Sequence, residues 1–164
     1  MQMTESNRKY ILIGIVIFII IGIITSKILA SKQDAEFNHD DMLSQQASQL
    51  YNEGNFEAAG KVINELLLRQ PNSEVVNYLG GVITANLEEY EQSAILLQKT
   101  LDLNPHKVED PIFMIQFGEA LFNAERYNHA LVVLEKCREA GWTPELYPAY
   151  QDRVTELLTL IDNL

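Results

Sequence analysis

Three histidines and one cysteine are the side chains in this chain best suited to hold a metal or attack a substrate: His39, His106, His129 and Cys137. Metal sites on helices set two such ligands three or four residues apart, or two cysteines in a short loop. No two of these four residues share that spacing, and Cys137 has no cysteine partner. Neighbouring carboxylates such as Glu88 and Glu89 fall in a turn between apolar runs, where solvated charge is the ordinary explanation. The chain has no phosphate-cradling glycine loop and no recognisable pairing of a nucleophile with a base. These residues therefore predict no enzyme, no metal and no cofactor. As a lone cysteine, Cys137 excludes an internal disulfide, and its helical, apolar surroundings predict a buried core thiol.

What recurs instead is a spacing near 34 residues. In the blocks 40–73, 74–107 and 111–144, the first carries Ala47, Gly54, Phe56, Ala59, Ile63 and Pro71. The second carries Gly81, Tyr90, Ser93, Leu97 and Pro105. The third has Gly118, Tyr127, Ala130 and Leu134, with Trp142 where the proline would fall. From Ala59 to Ser93 is 34 residues and from Ser93 to Ala130 is 37, the three extra residues lying around His106 to Asp110. A fixed period of this size marks a stacked array of supersecondary units.

Each block predicts two helices, because its apolar residues recur at the 3.6-residue period and no strand pattern competes. The expected helices are 40–52 and 56–70, then Val75–Ala85 and Tyr90–Leu103, then Ile112–Phe122 and Tyr127–Ala140. Pro71 and Pro105 end the second helices of their blocks. Asp110–Pro111 is a strong helix start, with an acceptor side chain at the cap and proline in the first turn. Thr143–Pro144–Glu145 predicts a similar start for a closing helix within 145–164, striped by Leu146, Tyr150, Val154, Leu157, Leu158 and Ile161. Such a helix would cover the open end of the stack. Asn52, Asn86 and Asn123 recur at the ends of first helices, where asparagine is expected to cap or to accept a left-handed turn rather than form a ligand ladder.

The N-terminal part differs in kind. Residues 1–9 form a short tail, and from Tyr10 to Ser26 no residue is charged. Those 17 residues span roughly 25 Å as a helix, near the lower limit for a bilayer. Ile28 to Ala30 extend the run if Lys27 snorkels to the interface. A cleaved signal peptide is the competing reading, but Lys27 interrupts the cleavage region and bulky Ile28 sits before Ala30. Residues 10–30 are therefore expected to be an uncleaved transmembrane signal anchor in membrane lipid, followed by a linker over 31–39. Arg8 and Lys9 before the span nearly balance Lys27 and Lys32 after it. The short tail and early span still suit a chain whose bulk lies outside the cytoplasm, in a bacterium the periplasm.

Charge narrows the partners. Residues 1–30 carry three cations against Glu5, for +2, and residues 31–164 carry nine cations against 22 carboxylates, for −13, which sum to −11. A domain this acidic is repelled by phosphate backbones, so nucleic acid is not an expected partner.

The repeat positions resemble the tetratricopeptide repeat (TPR) family. Phe117–Gly118, Tyr127, Ala130 and Leu134 fit its motif, as do Phe56, Ala59, Ile63 and Pro71, while block two carries Gly80–Gly81 and Ser93. The resemblance covers 40–144 and implies an all-α fold: a single transmembrane helix, then a three-repeat TPR solenoid with a C-terminal capping helix. It also implies a concave face that binds an extended peptide or a helix. The face expected from the first helices offers Val75, Tyr78, Val82, Ile112, Ile115, Glu119 and Phe122, with Ser44 and Ser48. It lacks the lysines and arginines with which the family clamps C-terminal carboxylates. A mainly apolar groove with one carboxylate suits a hydrophobic segment or an amphipathic helix of a membrane or periplasmic protein. Tyr78, Ile115 and Phe122 are the expected principal contacts.

These readings predict an inner-membrane, single-pass adaptor that mediates protein–protein interaction, as an assembly factor or accessory subunit of a secretion, envelope or respiratory complex. The alternative is a periplasmic holdase-like chaperone or receptor for unfolded and secreted polypeptides such as apocytochromes. A third placement puts the domain in the cytosol, as in organelle import receptors.

Overall fold

The computed structural model describes residues 38–164, together with Phe18 and Ile19. The expected tail 1–9, the rest of the expected anchor 10–30 and most of the linker lie outside the described residues. Among the described residues no helix is long and apolar enough to cross a membrane.

Seven α-helices and one short 3-10 turn make up residues 38–164. They are α1 (38–52), α2 (Phe56–Arg69), α3 (Glu74–Asn86), α4 (Tyr90–Leu103), α5 (Pro111–Asn123), α6 (Tyr127–Ala140) and α7 (Tyr150–Asp162). The 3-10 turn, Pro105–Glu109, holds the insertion that stretches the period. No strand occurs among the described residues. Helices adjacent in sequence pack on one another, α2 on α3, α3 on α4, α4 on α5 and α5 on α6, and α7 closes over α6 and α5. This is an all-α stack of helix pairs.

Local signals account for most boundaries. Asn55, Ser73 and Asp110 accept hydrogen bonds from backbone N–H groups at the starts of α2, α3 and α5, which would otherwise lack partners. Asp110 takes two, from Ile112 and Phe113, each at 3.1 Å. The closing helix departs from expectation: it starts at Tyr150 rather than beside Glu145, and residues 145–149 form turns. Pro148 explains the shift, since it disfavours helical backbone at Tyr147 and clashes with a carbonyl four residues back. Leu146 is thereby thrown off the expected stripe and stands 94% exposed.

The turns inside the repeats also differ from expectation. The asparagines do not take left-handed backbone. Gly54, Glu88 and Glu125, two residues further on, have φ of 74°, 62° and 59°. Each repeat therefore needs a left-handed residue at this place. Only the first supplies glycine, the residue that adopts it without steric cost.

The core falls into two clusters. Leu43, Ala47, Ala59, Ile63, Leu66, Val76 and Ile83 bind the first repeat to α3. The larger cluster joins Leu97 of α4, Phe113, Phe117 and Leu121 of α5, Leu134 and Cys137 of α6, and Tyr150, Val154 and Leu157 of α7. Close approach within the second and third repeats rests on Gly81 and Gly118, where an added Cβ would stand 2.7 Å from Leu97 and Leu134 respectively. Ser93, the variant at the alanine position, donates its buried hydroxyl to the Gly81 carbonyl at 2.8 Å, tying α4 to α3.

Candidate functional site

The first helices of the repeats flank a half-open cavity of about 250 Å³ lined by Tyr51, Val82, Asn86, Gln116, Glu119 and Asn123, with Tyr90 at its side. Asn86 and Asn123 end α3 and α5 at the same repeat position. Asn86 donates from Nδ2 to the Val82 carbonyl at 2.7 Å, which fixes its rotamer and leaves Oδ1 as an acceptor. No described residue hydrogen-bonds the exposed Asn123 amide.

Only part of the face expected from the sequence comes together here. Val82 and Glu119 line the cavity. Ile115 is 1% exposed and belongs to the core. Phe122 packs on the same cluster and meets the Tyr127 ring at 5.7 Å. Ile112 is half-buried, and Val75 stands 60% exposed at the start of α3, away from the lining. Nor is Tyr78 free: its hydroxyl donates to Gln116 Oε1 at 2.8 Å, bridging α3 to α5. Burial, and then the negative charge of Asp110, push that hydroxyl above its ordinary pKa.

The expected absence of cations from this face is corrected twice. Lys107, from the inserted 3-10 turn, folds back over Tyr78, its ammonium 4.9 Å from the ring centre and 5.8 Å from that of Phe113. It also meets Asp110 at 3.1 Å and Glu74 at 3.7 Å. Arg153 of α7 donates to Glu119 at 2.7 Å, so the expected lone carboxylate is paired. Both cations come from outside the repeat pattern, one from an insertion and one from the cap. The sequence period could not place them.

The result is a divided face. At the starts of the first helices Lys107, Tyr78 and Gln116 fill the space. At their ends the cavity is open, and its lining is amide and tyrosine more than aliphatic. Tyr90 and Asn123 continue into an adjoining cleft with Glu88, Glu89, Glu91, Gln92 and Glu125. Glu91 there is engaged by Arg126 through two guanidinium nitrogens. The sequence signal for the open end was the recurrence of asparagine at one repeat position, and Gln116 had none. Among the described residues no cluster of three histidine, cysteine or acidic side chains could hold a metal ion.

No family model and no curated protein matches the chain. Solved structures do. The type III secretion translocator chaperone SycD of Yersinia enterocolitica is 18% identical with a TM-score of 0.60, over 75% of this chain and 83% of that one. The TPR2B domain of yeast Sti1, solved as a complex with pHsp70, is 16% identical with a TM-score of 0.56, over 74% of this chain and 98% of that one. The Sgt2 TPR domain of Aspergillus fumigatus is 16% identical with a TM-score of 0.56, over 76% of this chain and 78% of that one. The fold is that of TPR domains.

Proposed function

We propose that this chain is a membrane-anchored adaptor whose TPR-like domain holds a polypeptide of a partner protein in the concave cavity. The observation that carries the reading is the open cavity between first helices, with the amides of Asn86 and Asn123 at matching repeat positions. It offers hydrogen-bonding groups to a main chain and no arrangement of nucleophile, base or metal ligands. SycD has been solved with a peptide of the translocator YopD, and the yeast Sti1 domain as a complex with pHsp70, so polypeptide capture suits this fold. The apolar run over 10–30 supports attachment to an inner membrane, with the domain on the periplasmic side, where it would serve assembly of a membrane complex. The chaperone reading draws support from the likeness to SycD and to PcrH, which has been solved with the chaperone-binding region of PopD.

A photo-cross-linking residue at Ala85, on the cavity wall, and another at exposed Val132 of α6 test the reading in membranes carrying the full chain. A polypeptide captured from position 85 and absent from 132 is the expected result. Equal capture from both positions, or none from 85, would overturn it. Release of the chain by alkaline extraction would remove the anchor, and digestion of the domain in intact spheroplasts would put it outside the cytoplasm.

A further inference from the structure

We infer that the occupant of this cavity is an extended, arginine- or lysine-bearing segment rather than a hydrophobic helix. Its main chain would bond the Asn86 and Asn123 amides, and its cations would face Glu88, Glu89 and Glu125. The inference rests on the reading of the cavity as a polypeptide site, and it names the chemistry of the partner.

Shape comes first. The half-open cavity, about 250 Å³, admits the side chains of an extended segment, whereas seating a whole helix with its side chains would take a trough roughly 10–12 Å across. The lining comes second. A side-chain amide offers one acceptor and two donors, the complement of a peptide group. Two amides at one position of successive repeats meet successive parts of an extended chain, whose main-chain groups are all unpaired. A helical occupant would have its main-chain groups already bonded to one another.

Charge comes third. Asn123 and Tyr90 line both the cavity and the adjoining cleft, so the two share a border. Glu88, Glu89 and Glu125 form no ion pair among the described residues, while Arg126 is engaged by Glu91 of the same cleft. Residues 38–164 hold eight cations against 20 carboxylates, a balance of −12. A concave surface lined by one sign of charge concentrates ligands of the other. Tyr51 and Tyr90 also line the cavity, and aromatic rings attract a guanidinium.

The test uses the full chain in detergent and three fluorescein-labelled nonapeptides: alternating Arg/Ala, alternating Glu/Ala, and a Leu/Ala helix former. The Arg/Ala peptide should bind most tightly and weaken as salt rises. The triple variant Glu88→Gln/Glu89→Gln/Glu125→Gln should weaken it further. Asn86→Ala/Asn123→Ala changes no charge and removes two exposed side chains, so the fold is retained. It should weaken binding about tenfold or more, the scale of losing two hydrogen bonds. Tightest binding by the Leu/Ala or Glu/Ala peptide would overturn the inference. So would unchanged Arg/Ala binding by the asparagine variant, since only diffuse attraction would then be at work. Binding of no peptide class at the Ala85 cross-linking position would instead remove the polypeptide reading beneath it.

Discussion

Arg153 Nε of the closing helix donates to Glu119 Oε1 of α5 at 2.7 Å, while its Nη1 reaches Glu156 at 2.8 Å. The helix that seals the end of the stack thus also sets the charge of the concave cavity wall. Replacing Arg153 by Met keeps much of its aliphatic length and removes both bonds. Because Arg153 and Glu119 are each about one third exposed (33% and 30%), solvent screens the pair, and a loss of about 1 kcal/mol is expected. Urea unfolding of Arg153→Met, Glu119→Gln and the double variant measures the coupling. A double-variant loss equal to the sum of the single losses would mean that the contact contributes nothing.

Gly81 faces Leu97, and Gly118 faces Leu134, at distances that leave no room for a methyl group. The first repeat solves the same contact differently: Ala47 and Ile63 occupy the equivalent places, both fully buried. Gly81→Ala is therefore expected to cost about 1–3 kcal/mol by overpacking. Adding Leu97→Ile should recover part of that loss, because the pair then copies the first repeat. Thermal unfolding of the two single variants and the double one decides the matter, and a double variant worse than the sum of the singles would refute the exchange.

Glu88 and Glu125 hold backbone that glycine adopts freely, as Gly54 does at the matching turn. Glu88→Gly and Glu125→Gly should each stabilise the chain by about 0.5–1 kcal/mol, less than the full left-handed cost because glycine also loosens the unfolded chain. Gly54→Val should destabilise it by more than that. Midpoints of urea unfolding give all three signs.

Burial pushes the Cys137 thiol and the Tyr150 hydroxyl above their ordinary values of 9.0 and 10.0. The folded chain therefore keeps these protons at pH values where the unfolded chain releases them. Their contribution is fully present below about pH 9 and is lost as pH rises beyond it. Tyr150→Phe should flatten that alkaline decline. The Tyr150 hydroxyl lies beside the Cys137 thiol but makes no hydrogen bond of ordinary geometry. Its removal should therefore leave stability at pH 7 unchanged or slightly higher. A large loss at pH 7 would show that the hydroxyl has a partner after all.

The helices were legible because each signal was local. The 3.6-residue pattern, the Asp110–Pro111 start and the prolines after second helices place α2 to α6 within a residue or two. The closing helix starts later than the Thr143–Pro144–Glu145 pattern predicts because Pro148 bars helical backbone before Tyr150. Of the seven expected face residues only Val82 and Glu119 line the cavity, for a different reason. Positions on one helix face point both toward the groove and toward the neighbouring helix, and only packing separates Val82 from Ile115 or Phe122. Lys107 and Arg153 reach the face from an insertion and from the cap, so no repeat position announces them. The asparagines are visible in the sequence as a recurrence, but only the backbone shows that Glu88 and Glu125, two residues on, carry the left-handed turn.

The two-part core divides the array unequally. Seven buried residues secure the first repeat to α3, against fifteen that bind the rest through to the cap. Tension entering from the direction of residue 38 would meet the smaller cluster first. α1 and α2 would then peel away while α5 to α7 stay folded, leaving the Asn123 end of the cavity standing after its Tyr51 wall has gone. Pulling from that side is expected to open the first repeat before the cap, and a force–extension trace in which α5 to α7 yield first would refute it.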